Sequence, residues 1–100
     1  MTLEPIPRIR VDFNELIGPD LVLLAKSDLV KCEDGGELLL QPGLPVIAFE
    51  HNEYADSTTE YLYAQGFAER NDPAVNGEWT RNAKWCCRFN GGVQVSESPI

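Results

Sequence analysis

The apolar runs of this chain are short, and glycine or proline separates most of them. Pro5 and Pro7 each lack a backbone donor and restrict the preceding residue to extended conformations, so residues 1–10 are expected to form an extended arm or an edge strand. In "VDFNELI", Val11, Leu16 and Ile17 stand among acids, with Asp12 placed as an N-cap and Glu15 three residues on. That pattern predicts one short helical turn, stopped by Gly18 and Pro19. "DLVLLAKSDLVK" fits two periods, helical through Leu21, Leu24, Ala25 and Asp28, and alternating through Leu21, Leu23, Ala25, Ser27 and Leu29. The next segment decides between them. In "CEDGGELLL", Asp34, Gly35 and Gly36 supply the positive φ angles of a tight hairpin turn, so residues 21–32 read as one or two strands and residues 37–40 as their partner.

"QPGLP" interrupts the pairing as a type II turn would, and "VIAFEHN" resumes as a β-prone central strand. The polar stretch 51–59 reads as a hairpin loop, after which "EYLYAQGFAER" alternates until Gly66, a position suited to a bulge or a close backbone approach. This run is expected to pair with "VIAFE". Residues 71–82 carry Asn-Asp-Pro and Asn-Gly turn signals and predict a long loop, and "VQVSES" offers a last short strand before Pro99. No repeat or linker divides the chain, so residues 1–100 are expected to form a single domain.

Short strands with turn residues between them and almost no helix predict a mainly β fold, either a small barrel or a compact antiparallel sheet, with at most one short N-terminal helical turn. "PGLPVIAFE", "YLYAQGFAERN" and "AKWCCRF" together resemble, at the level of the superfold, an SH3-like barrel of the Tudor or bacterial kind. The resemblance covers about half of the chain. It implies that aromatic residues near the hairpin loops would build a ligand groove, and it names no activity, because SH3-like domains host many.

"AKWCCRF" is the segment that looks most like chemistry. As a strand it would place Ala83, Trp85, Cys87 and Phe89 on a buried face and Lys84, Cys86 and Arg88 on an outward one. A disulfide between Cys86 and Cys87 is disfavoured, since a trans peptide holds their Cα atoms about 3.8 Å apart. A metal site would require Cys32, Cys86 and His51 to converge, without the ligand spacing that metal sites show, and no metal or cofactor is expected. An outward Cys86 between two cations would have its thiolate favoured, which keeps a thiol-dependent enzyme as an alternative. His51 could act as a general base beside Glu50, Glu53 or Asp56, but a loop histidine among solvated acids is the plainer reading. No phosphate-binding loop, dinucleotide fingerprint or nucleophile elbow is present, and enzymatic activity has no positive support.

Sixteen acids against eight bases give a formal charge of −8, which disfavours nucleic acid and anionic lipid as partners and suits a basic protein or peptide. No segment has the apolar length of a signal peptide or a membrane span, and three cysteines do not form a secreted disulfide framework; a cytoplasmic protein without membrane contact is expected. The types enriched at binding hot spots are Tyr54, Tyr61, Tyr63 and Trp79, with Glu50, Glu53 and Asp56 as acidic companions. The expected function is a non-enzymatic protein- or peptide-interaction module, acting as a monomer or homodimer. A sharper alternative is an acidic inhibitor or immunity-type protein that blocks a basic toxin or nuclease through Glu50, Glu53, Asp56, Glu60, Asp72 and Glu78.

Overall fold

A computed structural model describes residues 6–96 of the chain. The strands are β1 (Arg8–Arg10), β2 (Leu16–Gly18), β3 (Leu21–Ala25), β4 (Leu29–Lys31), β5 (Glu37–Leu39), β6 (Pro45–Glu53), β7 (Thr59–Arg70), β8 (Trp85–Phe89) and β9 (Gln94–Ser96). The main sheet runs β1-β6-β7-β8-β3-β2, with β9 also on β7, while β4 and β5 form a separate hairpin. The protein is therefore mainly β. Its path ends on β1 and β2, and among the described residues no pairing joins those ends into a closed barrel.

Strand β7 organises the sheet because it is long enough to serve three neighbours. Along one edge it pairs antiparallel with β6, from Glu53↔Thr59 to Pro45↔Phe67. Its other edge takes β9 at Tyr61 to Tyr63 and then β8 at Gly66 to Arg70. Gly66 sits where the partner changes to β8, and a Cβ there would lie 1.9 Å from the Arg88 carbonyl oxygen. Only a residue without a side chain permits that approach, as expected at this position.

Alternation along the strands divides the sheet into two faces. The inner face buries Ile9, Val22, Val46, Ala48, Ala64, Ala68, Trp85, Cys87 and Phe89, with Leu24 and Leu40 completing the cluster. The β4–β5 hairpin packs against it through Val30 and Leu38. Trp85 and Phe89 are the bulkiest side chains of this core, and each fully buried one contributes about 2–3 kcal/mol of apolar transfer energy. The Trp85 indole also donates to Asp28 Oδ1 (2.9 Å), which satisfies its polar edge.

The N-terminal turn forms at Phe13–Glu15, where Asp12 caps it by accepting from the Asn14 amide at 2.9 Å. It stops at Leu16, earlier than Gly18, because Leu16–Gly18 pairs with β3 as β2. Two further single turns, α1 (Pro73–Asn76) and a 3-10 turn at Glu78–Thr80, lie in the long loop after β7. The ambiguous stretch after Asp20 is extended, but β3 pairs with β2 and β8, and only β4 takes β5 as its partner. Of the expected N-terminal arm, Arg8–Arg10 forms an edge strand parallel to β6, and residues 1–5 lie outside the described residues. Among the described residues no helix is long and apolar enough to cross a membrane.

Candidate functional site

The outer face of the β6–β7 ribbon carries an aromatic row. Register places His51 opposite Tyr61 and Phe49 opposite Tyr63, and directly opposed side chains share a face. The His51 ring meets Tyr61 edge-on, with centroids 4.7 Å apart, and lies 5.2 Å from the Phe49 ring. Arg10 on β1 covers Phe49 from the other side, its guanidinium 5.6 Å from the ring centroid. Phe49 is buried, whereas His51, Tyr61 and Tyr63 are half-buried, and Phe67 further along the same face is 44% exposed.

The hairpin at the end of this ribbon is acidic and locally determined. Strands β6 and β7 extend further into the polar stretch than its composition suggests and leave residues 54–58 as the turn. Asp56 accepts from the Thr58 amide at 3.1 Å and from its hydroxyl at 2.6 Å, and these bonds hold the Asp56 carboxyl below the ordinary carboxylate range. Ser57 takes a positive φ of 71° to close the turn. Tyr54, 49% exposed, donates to Glu60 Oε1 at 3.1 Å, and this acceptor raises the phenol's pKa. Glu53 is exposed beside them.

The expected acids do not share one surface. Glu53, Asp56 and Glu60 gather at the hairpin, while Asp72 and Glu78 follow the far end of β7. Glu50 faces the opposite side of β6 from His51, and its Oε1 accepts the Phe13 amide at 3.3 Å, tying the N-terminal turn to the sheet. Trp79 is likewise at the far end of β7 from Tyr54, Tyr61 and Tyr63.

The loop that holds Trp79 is a built object. Asn71 Nδ2 donates to the Thr80 carbonyl (2.8 Å), the Ala83 carbonyl (2.9 Å) and Thr80 Oγ1 (3.2 Å). Its Oδ1 accepts from Asn76 Nδ2 at 2.8 Å and from the Cys86 thiol at 3.6 Å. Thr80 is buried and donates to the Gly77 carbonyl at 2.7 Å. Asp72 caps α1 through the Ala74 amide, so one side chain ties the loop to itself and the next starts its helix. The Asn-Asp-Pro signal marks this turn in the sequence, but nothing there marks Asn71 as its hub.

The cysteine strand differs from its expected pattern on the outer face. Trp85, Cys87 and Phe89 are buried as alternation predicts, but Cys86 is fully buried too, in a second cluster with Leu21 and Leu23, against which Ile17 and Ala83 pack. Ala83 thus belongs with Cys86 and not with Trp85, because β8 begins only at Trp85. Burial, with Glu69 nearby, pushes the Cys86 thiol up to about 11, and burial pushes Cys87 up to about 12. The thiolate expected between Lys84 and Arg88 is therefore not favoured; Lys84 pairs with Asp28, and Arg88 grips Glu69 with two hydrogen bonds (2.8 and 3.0 Å) and reaches Asp20 at 3.1 Å. Cys32, Cys86 and His51 occupy three separate regions: the end of the β4–β5 hairpin, the outer cluster and the aromatic row.

Comparison of the chain with protein-family models, curated proteins and solved structures returned no match.

Proposed function

We propose that this protein is a non-enzymatic interaction module that receives a basic peptide or protein surface on the outer face of the β6–β7 ribbon. The observation that carries this reading is the aromatic row of His51, Tyr61 and Tyr63, half-buried on a sheet face, with an acidic hairpin at its end. Tyrosine gives contact area at low conformational cost, and an arginine or lysine laid over such rings gains cation–π energy, about 0.5–2 kcal/mol for each contact. Glu53, Asp56 and Glu60 supply the field that steers a cation toward the rings. The SH3-like resemblance adds Tyr54, bonded to Glu60 at the hairpin itself, as a neighbour of this surface, and three unpaired cysteines suit a reducing, cytoplasmic setting.

Capture of partners on the immobilised protein, repeated with Tyr61→Ala/Tyr63→Ala and with Glu53→Gln/Asp56→Asn/Glu60→Gln, tests the proposal. A basic partner lost with both variants is the expected result, with affinity down by about thirtyfold or more for the tyrosine pair. A partner retained by both folded variants would remove the ribbon from consideration. The inhibitor version is distinguished by the identity of the captured protein, a basic toxin or nuclease whose activity the wild type suppresses.

A further inference from the structure

The chain's few cations are unevenly placed. Lys26, Arg70, Arg81 and Lys84, four of its eight Lys and Arg residues, line one shallow cleft of about 340 Å³ that has no acid among its lining side chains. Lys84 pairs with Asp28, and Arg81 with Glu78 in a bridge whose two side chains are 69% and 77% exposed. So exposed a pair is weak and exchanges readily for another anion. Neither Lys26 nor Arg70 has a carboxylate within ion-pair distance among the described residues; Arg70 lies instead over the Trp85 ring, 5.0 Å from its centroid.

A second cleft of about 450 Å³ adjoins the first and shares Lys26, Asn82 and Ala83 with it. It runs between the end of β3, the N-terminal turn and the 71–83 loop, and Arg10, Asp12, Glu15 and the 58% exposed Trp79 line it. The indole is held in place: a Cβ on Gly77 would come within 3.0 Å of its Cδ1 and Nε1, so the ring lies against the glycine backbone. The loop beneath is fixed by the Asn71 hydrogen bonds. A large apolar side chain kept exposed on a rigid support loses little conformational entropy when a partner covers it.

We propose that this joined groove binds an extended acidic peptide segment, with its carboxylates over Lys26, Arg70, Arg81 and Lys84 and one apolar side chain against Trp79. The clefts are shallow and do not enclose a ligand, which suits a peptide lying along them better than a small molecule that must be surrounded. Nucleic acid would bring its phosphates against the rest of a surface of net charge −8. A short acidic segment answers mainly to the charges within about 10 Å, the screening length near 0.1 M salt. The first cleft offers it four lining cations, with Asp28 and Glu78 engaged by Lys84 and Arg81, whereas Asp12 and Glu15 line the second, so the carboxylates belong over the first cleft and an uncharged stretch over the second. This surface differs in sign and position from the aromatic ribbon and stands without it.

The test is fluorescence anisotropy of a labelled short peptide that carries a run of aspartates, then a single leucine and uncharged residues, titrated with the protein. Tryptophan emission is followed in parallel, since Trp79 is exposed and Trp85 buried. Saturable binding with an emission shift is expected, weakened by about tenfold or more in Lys26→Glu/Arg81→Glu and by a similar factor in Trp79→Ala or with serine in place of the peptide's leucine. Tyr61→Ala/Tyr63→Ala should leave this binding unchanged, so the two surfaces fail or stand separately. No saturable binding by the folded wild type overturns the proposal, as does undiminished binding by the folded charge-reversal variant. Binding of inorganic pyrophosphate with the peptide inert overturns it in favour of a small-anion site. Growth of molecular mass with protein concentration, abolished by Lys26→Glu/Arg81→Glu and unaffected by the peptide, overturns it in favour of a second copy.

Discussion

At one end of β7 the chain reverses through residues 54–58, with Asp56 bonded to Thr58 and Tyr54 to Glu60, all of them near neighbours in sequence and exposed or half-buried. At the other end it makes a longer excursion through residues 71–83, where the Asn71 amide gathers the carbonyls of Thr80 and Ala83 and Thr80 is buried beneath the loop. The first turn is local chemistry in water. The second is a tertiary object whose polar groups satisfy one another while partly screened from solvent, and such networks are stiff when complete and costly when broken. The charges differ as well, three acids around the hairpin against four cations in the basin beside the loop. A long loop can therefore be the more rigid end of a strand and a tight turn the more independent one.

The largest effect is expected where both ends depend on the same strand. Gly66→Val would drive a side chain into the Arg88 carbonyl and separate β8 from β7, at a cost of about 4 kcal/mol or more. Chemical denaturation measures it, and a loss below about 1 kcal/mol would mean that the backbone there adjusts freely. Next comes Asn71→Ala, which strips partners from two carbonyls, Thr80 Oγ1, the Asn76 amide and the Cys86 thiol. About 2–3 kcal/mol should be lost, with faster amide exchange in residues 71–83 and no change at the hairpin. Equal acceleration at both ends would abolish the contrast.

The outer cluster beside that loop sharpens the comparison through its thiols. With native values raised from 9.0 to about 11 and about 12, Cys86 and Cys87 bind protons more tightly folded than unfolded, so stability should fall as the pH rises from about 9 through those values. At pH 8 on the order of one part in a thousand of Cys86 is thiolate. Iodoacetamide should accordingly label half-buried Cys32 first and reach Cys86 and Cys87 only on unfolding; rapid labelling of Cys86 in the folded protein would contradict its burial. The smallest effect belongs to the hairpin. Asp56 contributes a little stability that is present above its ordinary value of 3.8 and lost as the pH falls through its depressed native one, and Asp56→Ala should loosen only residues 54–58, as seen by amide exchange, with a smaller shift of the denaturation midpoint than either substitution above.

What the sequence made legible was whatever depends on neighbours along the chain. The β4–β5 hairpin follows from Asp34 and Gly35, the N-terminal turn from Asp12, and the β6–β7 ribbon from two apolar alternations across a polar turn. Tyr61 and Tyr63 share a face because alternate residues must. The position of Trp79 was not legible, since strand spacing says nothing of which end of a sheet a later loop returns to. Nor was the burial of Cys86: alternation assigns it to the outward face, but Leu21 and Leu23 flank that face on β3 and close over it.

The sequence by itself determined the β class, the turns and the alternating faces, because each follows from backbone sterics and local hydrogen bonding, whereas the need for glycine at position 66 comes from the Arg88 carbonyl on β8. Only the tertiary structure decided that β3 joins β8 and leaves β5 to β4, that Glu50 serves the fold, and that Asn71 binds its loop together. It also decided that Lys26, Arg70, Arg81 and Lys84 converge on one cleft. These are meetings between residues far apart in the chain, and their energies come from burial and long-range packing, which no local pattern encodes.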